Sequence, residues 1–150
     1  MSCSKSLRIL VVEDEILIAL ELESLLQEAG HEVVGIATSR SDALTLAHDL
    51  SPDLAFVDIH LADGPTGVDV ARHLTGDLGV TVLFMTANTK RIPEDFAGAC
   101  GAIAKPYTER GVREALSYVT AGRIGGSGAS QAMIFMPFGA VSPAGRSQVS

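Results

Sequence analysis

An α/β fold, a parallel sheet with helices on both faces, is predicted by three observations. Five short apolar runs recur along the 150 residues, each followed by a segment with helical spacing, and repeated strand-then-helix order implies parallel pairing through right-handed crossovers. The central run, Leu54-Ala55-Phe56-Val57, carries no polar residue and reads as a strand buried on both faces. Polar residues capable of chemistry follow the runs directly: Glu13-Asp14-Glu15, Asp58, Thr86 and Lys105. In such a sheet function belongs at the carboxyl ends of the strands, whose loops are not needed to hold the core.

The elements follow in order. Leu7 to Val12 is the first strand. Ile16, Leu17, Leu20, Ser24 and Leu25 then recur at helical spacing with Glu21, Glu23, Gln27 and Glu28 largely opposite, which predicts a helix from about Glu15 to Ala29 closed by Gly30 as a left-handed cap. His31 to Ala37 is the second strand, and Ser39 or Ser41 caps a helix carrying Ala43, Leu44, Leu46 and Ala47. The third strand ends at Asp58, and the loop Leu61 to Gly67 leads to a shorter helix with Val68, Val70, Ala71 and Leu74, ending near Gly76. Val80 to Met85 is the fourth strand, and Pro93 opens a short fourth helix over Glu94 to Ala99. Ala102 to Ala104 is a minimal fifth strand, and Thr108 caps a last helix whose inward stripe is Val112, Ala115, Leu116 and Val119.

Composition narrows the function. A hydrophobic content of 47% over this length fits one domain with a full core. A net charge of −7 without any run of Lys and Arg argues against direct nucleic-acid binding, since phosphate contacts need clustered basic residues. Cys3 and Cys100 do not make a disulfide framework, the opening residues lack the apolar stretch of a signal peptide, and no stretch approaches membrane-spanning length. The expectation is a cytoplasmic protein with no membrane association.

If the first and third strands are neighbours, Glu13, Asp14 and Asp58 meet at one rim. Carboxylates so close repel one another, and a hard divalent cation resolves the repulsion. Mg²⁺ suits a shallow site with few carboxylates and retained waters. Taken singly, Asp58 could cap a turn, Glu13 and Glu15 could complement a helix dipole, Thr86 could be a strand-end hydroxyl and Lys105 a solvated charge. Their joint spacing carries the stronger reading.

Val12-Glu13-Asp14-Glu15, Val57-Asp58, Met85-Thr86-Ala87 and Ala104-Lys105-Pro106, in that order on successive strand ends, resemble the receiver domain of bacterial two-component response regulators. The resemblance runs from Leu7 to about Ala121 and implies a flavodoxin-like five-stranded parallel sheet with strand order 2-1-3-4-5. It further implies Asp58 as acceptor of a phosphoryl group from a sensor histidine kinase. Mg²⁺ would be held by Asp14, Asp58 and the main-chain carbonyl of His60, with Glu13 reaching it through water. Thr86 and Lys105 would donate to phosphoryl oxygens. Two departures stand out. Glu13 occupies a position where aspartate is commoner, and Ala102 stands where many receivers carry an aromatic that relays the threonine's movement.

The expected organisation is a receiver over residues 1–121 and a Gly/Ser/Pro-rich extension over 122–150 with one apolar patch, Met133 to Phe138, and no separate output domain. That patch reads as a segment that packs on protein, with strand addition to a sheet edge as one mode. The implied function is a single-domain switch, not an enzyme, that dephosphorylates itself and signals through protein contacts. A phosphorelay intermediate serving a histidine phosphotransfer protein, or a phosphate sink, are alternatives, and dimerisation is left open. An aspartyl-nucleophile phosphatase is disfavoured because it wants a second acid two residues beyond Asp58, where His60 stands.

Overall fold

A computed structural model describes residues 6–62, 64–87, 92–93, 96–105, 108–120 and 133–135. The strands are β1 (Arg8–Val12), β2 (Glu32–Ala37), β3 (Leu54–Asp58), β4 (Thr81–Thr86), β5 (Gly101–Ala104) and β6 (Met133–Phe135), and the helices are α1 (Ile16–Glu28), α2 (Arg40–Leu50), α3 (Gly67–Gly76) and α4 (Glu109–Thr120). The strand order is β2-β1-β3-β4-β5-β6. The first five strands pair in parallel in the expected 2-1-3-4-5 order, and β6 adds antiparallel to β5.

Side chains that alternate along each strand divide the core in two. Leu10, Val12, Ala55, Val57, Val82, Phe84 and Ala102 face one cluster with Ala43 and Ala47 of α2 and Val70, Ala71 and Leu74 of α3. Ile9, Val11, Leu54, Phe56, Leu83, Met85 and Ile103 face the other, with Ala19, Leu22 and Leu26 of α1 and Val112, Ala115 and Leu116 of α4. Apolar surface on both faces explains why β3, buried along its whole length, carries no polar residue before its last position, Asp58.

Local chemistry sets the helix ends. Past Ala29, Gly30 takes φ 94°, and the backbone bonds from Gly30 N to Gln27 O and from His31 N to Leu26 O close α1 as the glycine predicted. Ser39 caps α2 by accepting from Asp42 N at 3.2 Å, and Thr108 caps α4 by accepting from Gly111 N at 2.9 Å.

Two expectations need correction. The buried face of α1 is Ala19, Leu22 and Leu26, whereas Ile16, Leu17 and Leu20 point outward and are 50%, 80% and 46% exposed. The fourth α-helix is replaced, in its described part, by a 3₁₀ turn at Phe96–Gly98, while Glu94 and Asp95 lie outside the described residues. Positive φ at Ala97 and Gly98 (50° and 86°) is incompatible with a continuing α-helix. His31, just before β2, is half-buried and accepts the Leu7 N–H on Nδ1 at 3.0 Å. Among the described residues no helix is long and apolar enough to cross a membrane. Cys3, Pro106, Tyr107 and the rest of the extension lie outside the described residues.

Candidate functional site

Parallel register brings the polar strand ends together. Val12 pairs with Val57, Asp58 with Met85 and Thr86 with Ala104, so the next residues of β1, β4 and β5 come level with the end of β3. The sheet order reverses between β1 and β3, the crevice where open α/β sheets bind their ligands. A cavity of about 430 Å³ opens there, lined by Asp14, Glu15, Asp58, His60, Thr86, Ala87 and Lys105.

Lys105 is the hub. Its Nζ donates to Asp58 Oδ2 and to Glu13 Oε1, each at 3.0 Å, and its backbone N donates to Thr86 O at 2.9 Å. Glu13 is fully buried, and its Oε2 accepts from Glu15 N at 3.1 Å. Asp58 Oδ1 accepts the His60 N–H at 3.1 Å, which folds the start of the following loop back onto the acceptor side chain. Gly67 N donates to Ile59 O at 2.9 Å, so the start of α3 closes against the same strand end.

Burial and charge act against each other here. Burial pushes the Glu13 carboxyl up to about 7, with Asp58 beside it adding to the rise, while the Glu15 N–H and Lys105 oppose it. Burial draws the Lys105 ammonium down, but the bonds to Asp58 and Glu13 more than reverse this and leave it above its ordinary value. One ammonium thus holds two carboxylates that would otherwise repel.

Glu13, Asp14 and Asp58 each offer a carboxylate oxygen, all within 4.8 Å of one another. An all-oxygen donor set opening on a water-accessible cavity fits a hard divalent cation. All six residues singled out in the sequence, Glu13, Asp14, Asp58, His60, Thr86 and Lys105, therefore stand at this one rim. Sequence reasoning missed two features. Gly67 lies so close to the strand end that any side chain there would overlap the Asp58 carbonyl oxygen, and the outward apolar group Ile16, Leu17 and Leu20 begins directly after pocket residues Asp14 and Glu15.

Fold and site together define a receiver. Residues 9–117 match the response regulator receiver domain family, and the chain belongs to it. It is 35% identical over 119 residues to the phyllosphere-induced regulator PhyR of Methylorubrum extorquens, a match covering 78% of this chain and 45% of that protein. The solution structure of the receiver domain of PhyR from Erythrobacter litoralis superposes with a TM-score of 0.67 at 35% identity, over 75% of this chain and 88% of that one. A structure of the anti-anti-sigma factor PhyR of Bartonella quintana, complexed with the anti-sigma factor NepR, matches at TM-score 0.51 and 35% identity over 53% of this chain and 33% of that one. The chain spans about half the length of the curated relatives it matches.

Proposed function

We propose that this receiver accepts a phosphoryl group on Asp58 from a phosphohistidine of a sensor histidine kinase, in an Mg²⁺-dependent reaction, and signals through protein contacts that change with phosphorylation. The observation that carries the reading is Lys105 Nζ, 3.0 Å from both Asp58 and Glu13 at the mouth of the carboxylate-lined cavity. In the step itself an Asp58 carboxylate oxygen attacks phosphorus. The P–N bond to the donor imidazole breaks, and the ring keeps that electron pair and takes up a proton. Phosphoryl transfer needs in-line positioning and charge neutralisation from the protein more than covalent help.

Each residue has its part. Asp58 Oδ1 is fixed by the His60 N–H, which orients the carboxylate, and Oδ2 faces Lys105. Asp14, Asp58 and the His60 carbonyl would hold the cation, with Glu13 behind them; bound there, it neutralises equatorial phosphoryl oxygens. The phosphoryl group adds roughly −1.5 to −2 charges. Lys105 and the Thr86 hydroxyl then have reason to close on it, taking the ends of β4 and β5 with them. The chain turns over only its own phosphate, so it is a switch and not an enzyme. Cys3 and Cys100, without a disulfide framework, suit the reducing cytoplasm.

The donor's docking face is the outward start of α1. Ile16, Leu17 and Leu20 leave apolar surface exposed beside Asp14 and Glu15, so a protein seated there brings its phosphohistidine to the cavity mouth. The PhyR relative bound to an anti-sigma factor supports a regulatory protein as the downstream target.

Incubation with acetyl phosphate and Mg²⁺ followed by intact mass tests the acceptor. The native chain is expected to gain one phosphoryl mass and Asp58→Asn none; equal labelling of the two removes Asp58 from the mechanism.

A further inference from the structure

We propose that the outer edge of β5 is a strand-addition docking site, and that Met133–Phe135 is its tethered resident, displaced by an uncharged extended segment of a partner protein running antiparallel to β5. On its inner side β5 is held by β4, Leu83 opposite Gly101, Phe84 opposite Ala102 and Met85 opposite Ile103. On its outer side the same three residues meet β6, Gly101 opposite Phe135, Ala102 opposite Ile134 and Ile103 opposite Met133. Among the described residues β6 is thus the terminal strand of the sheet and covers backbone groups that would otherwise form an open edge.

The two edges of the parallel sheet are protected differently. β2 opens with exposed Glu32 and is only partly buried along most of its length. β5 is Gly-Ala-Ile-Ala, with no charge and no proline. Natural edges are commonly defended by charge, proline or a bulge, and an edge lacking all of them is a template for another strand. This chain supplies that strand itself. Three register pairs make a weak resident compared with the five that join β3 to β4. Its strength comes from the tether: residues 121–132 connect it to Thr120, so pairing is intramolecular, at an effective concentration on the order of mM. A casual contact cannot compete with that, but a partner with a longer matching segment can.

The resident also specifies the occupant's chemistry. Met133, Ile134 and Phe135 are uncharged and apolar, as β5 is, so a partner strand of that character meets no charge on the edge it pairs with. The docking site stands whether or not Asp58 is phosphorylated. It also lies on the strand that leads into Lys105, so by linkage an occupant and the pocket bias one another wherever exchange shifts that strand.

The test uses a fluorescent peptide with the sequence of residues 131–138, titrated into the native chain and into Ile134→Pro. Proline removes an N–H from the outermost strand, and Ile134→Asp repeats the experiment with a charge in case proline perturbs the chain more widely. Both variants, with native circular dichroism, are expected to bind the peptide at least about tenfold more tightly than the native chain. Amide exchange in Gly101–Ile103 is expected to speed up in both and to slow again when peptide is added. Equal affinity in native and variant chains, no binding by either variant at mM peptide, or equal binding of a control peptide carrying Asp at the position of Ile134 would each overturn the proposal.

Discussion

A Cβ on residue 67 would overlap the Asp58 carbonyl oxygen and approach Ile59 Cα and O to 2.6 and 2.8 Å, all backbone atoms that cannot swing aside. The helix after Asp58 can begin against the strand end only because that residue is glycine. Overpacking of this kind costs about 1–3 kcal/mol. Gly67→Ala is therefore expected to lower the thermal midpoint by several degrees and to slow labelling by acetyl phosphate. Gly76→Ala, whose added Cβ meets nothing within 4 Å, is expected to spare both. His31 is expected to set an acid limit on stability. Its Nδ1 must stay unprotonated to accept the Leu7 N–H, and burial lowers its pKa below the ordinary 6.5. The unfolded chain then binds the proton more readily, so this contribution is complete above about pH 6.5 and is lost as pH falls towards the folded value. Urea midpoints of the native chain and His31→Gln at pH 7.5 and 5.5 check the sign: the native chain should lose more on acidification.

Helix α1 shows what a single sequence leaves undetermined at the scale of an element. Ile16 to Leu20 is apolar at every position, so periodicity cannot fix which side of the first turns faces the sheet. The sheet takes Ala19, whose small side chain allows a close approach, followed by Leu22 and Leu26, and the larger residues are left outside. The 3₁₀ turn at Phe96–Gly98 escaped prediction for a similar reason. Pro93 is a fair helix starter, but residue 98 must be glycine on two counts, its positive φ and a Cβ that would overlap Thr75 Oγ1. That contact, and the Thr75 hydroxyl lying 3.1 Å from Ala97 O, join residues far apart in sequence. With Leu17 80% exposed, Leu17→Glu should change stability by less than about 0.5 kcal/mol. It should nevertheless slow transfer from a phosphorylated kinase domain by about tenfold or more while labelling by acetyl phosphate is unchanged, because so small a donor needs no docking face. Loss of both rates together would mean that the substitution acts on the pocket instead.

At the scale of the molecule the parallel sheet was legible because apolar runs bounded by Pro, Gly and acidic residues admit few topologies, and each rim residue stands directly after a strand. The pairing of β6 with β5 was legible only as one option for an apolar patch, since its partner edge lies some thirty residues earlier in the chain. The rim also couples the pocket to the stability of the whole fold. Glu13, Asp14 and Asp58 converge only when β1 and β3 are paired, so a cation they hold binds the folded chain and not the unfolded one. Mass action then predicts that Mg²⁺ at about 100 times its dissociation constant stabilises the fold by about 2.7 kcal/mol. Asp14→Asn should abolish most of that gain. Lys105→Ala should do the reverse in two parts. Without cation it should be less stable than the native chain, because buried Glu13 loses the ammonium 3.0 Å away. With cation it should gain more than the native chain does, because no positive charge competes for Asp58 and Glu13. Thermal unfolding of the three chains across an Mg²⁺ titration, with EDTA as the zero point, measures both parts. A native midpoint that does not move with Mg²⁺ would remove the cation from the site, while a smaller gain in Lys105→Ala would mean that the lysine assists the cation and does not rival it.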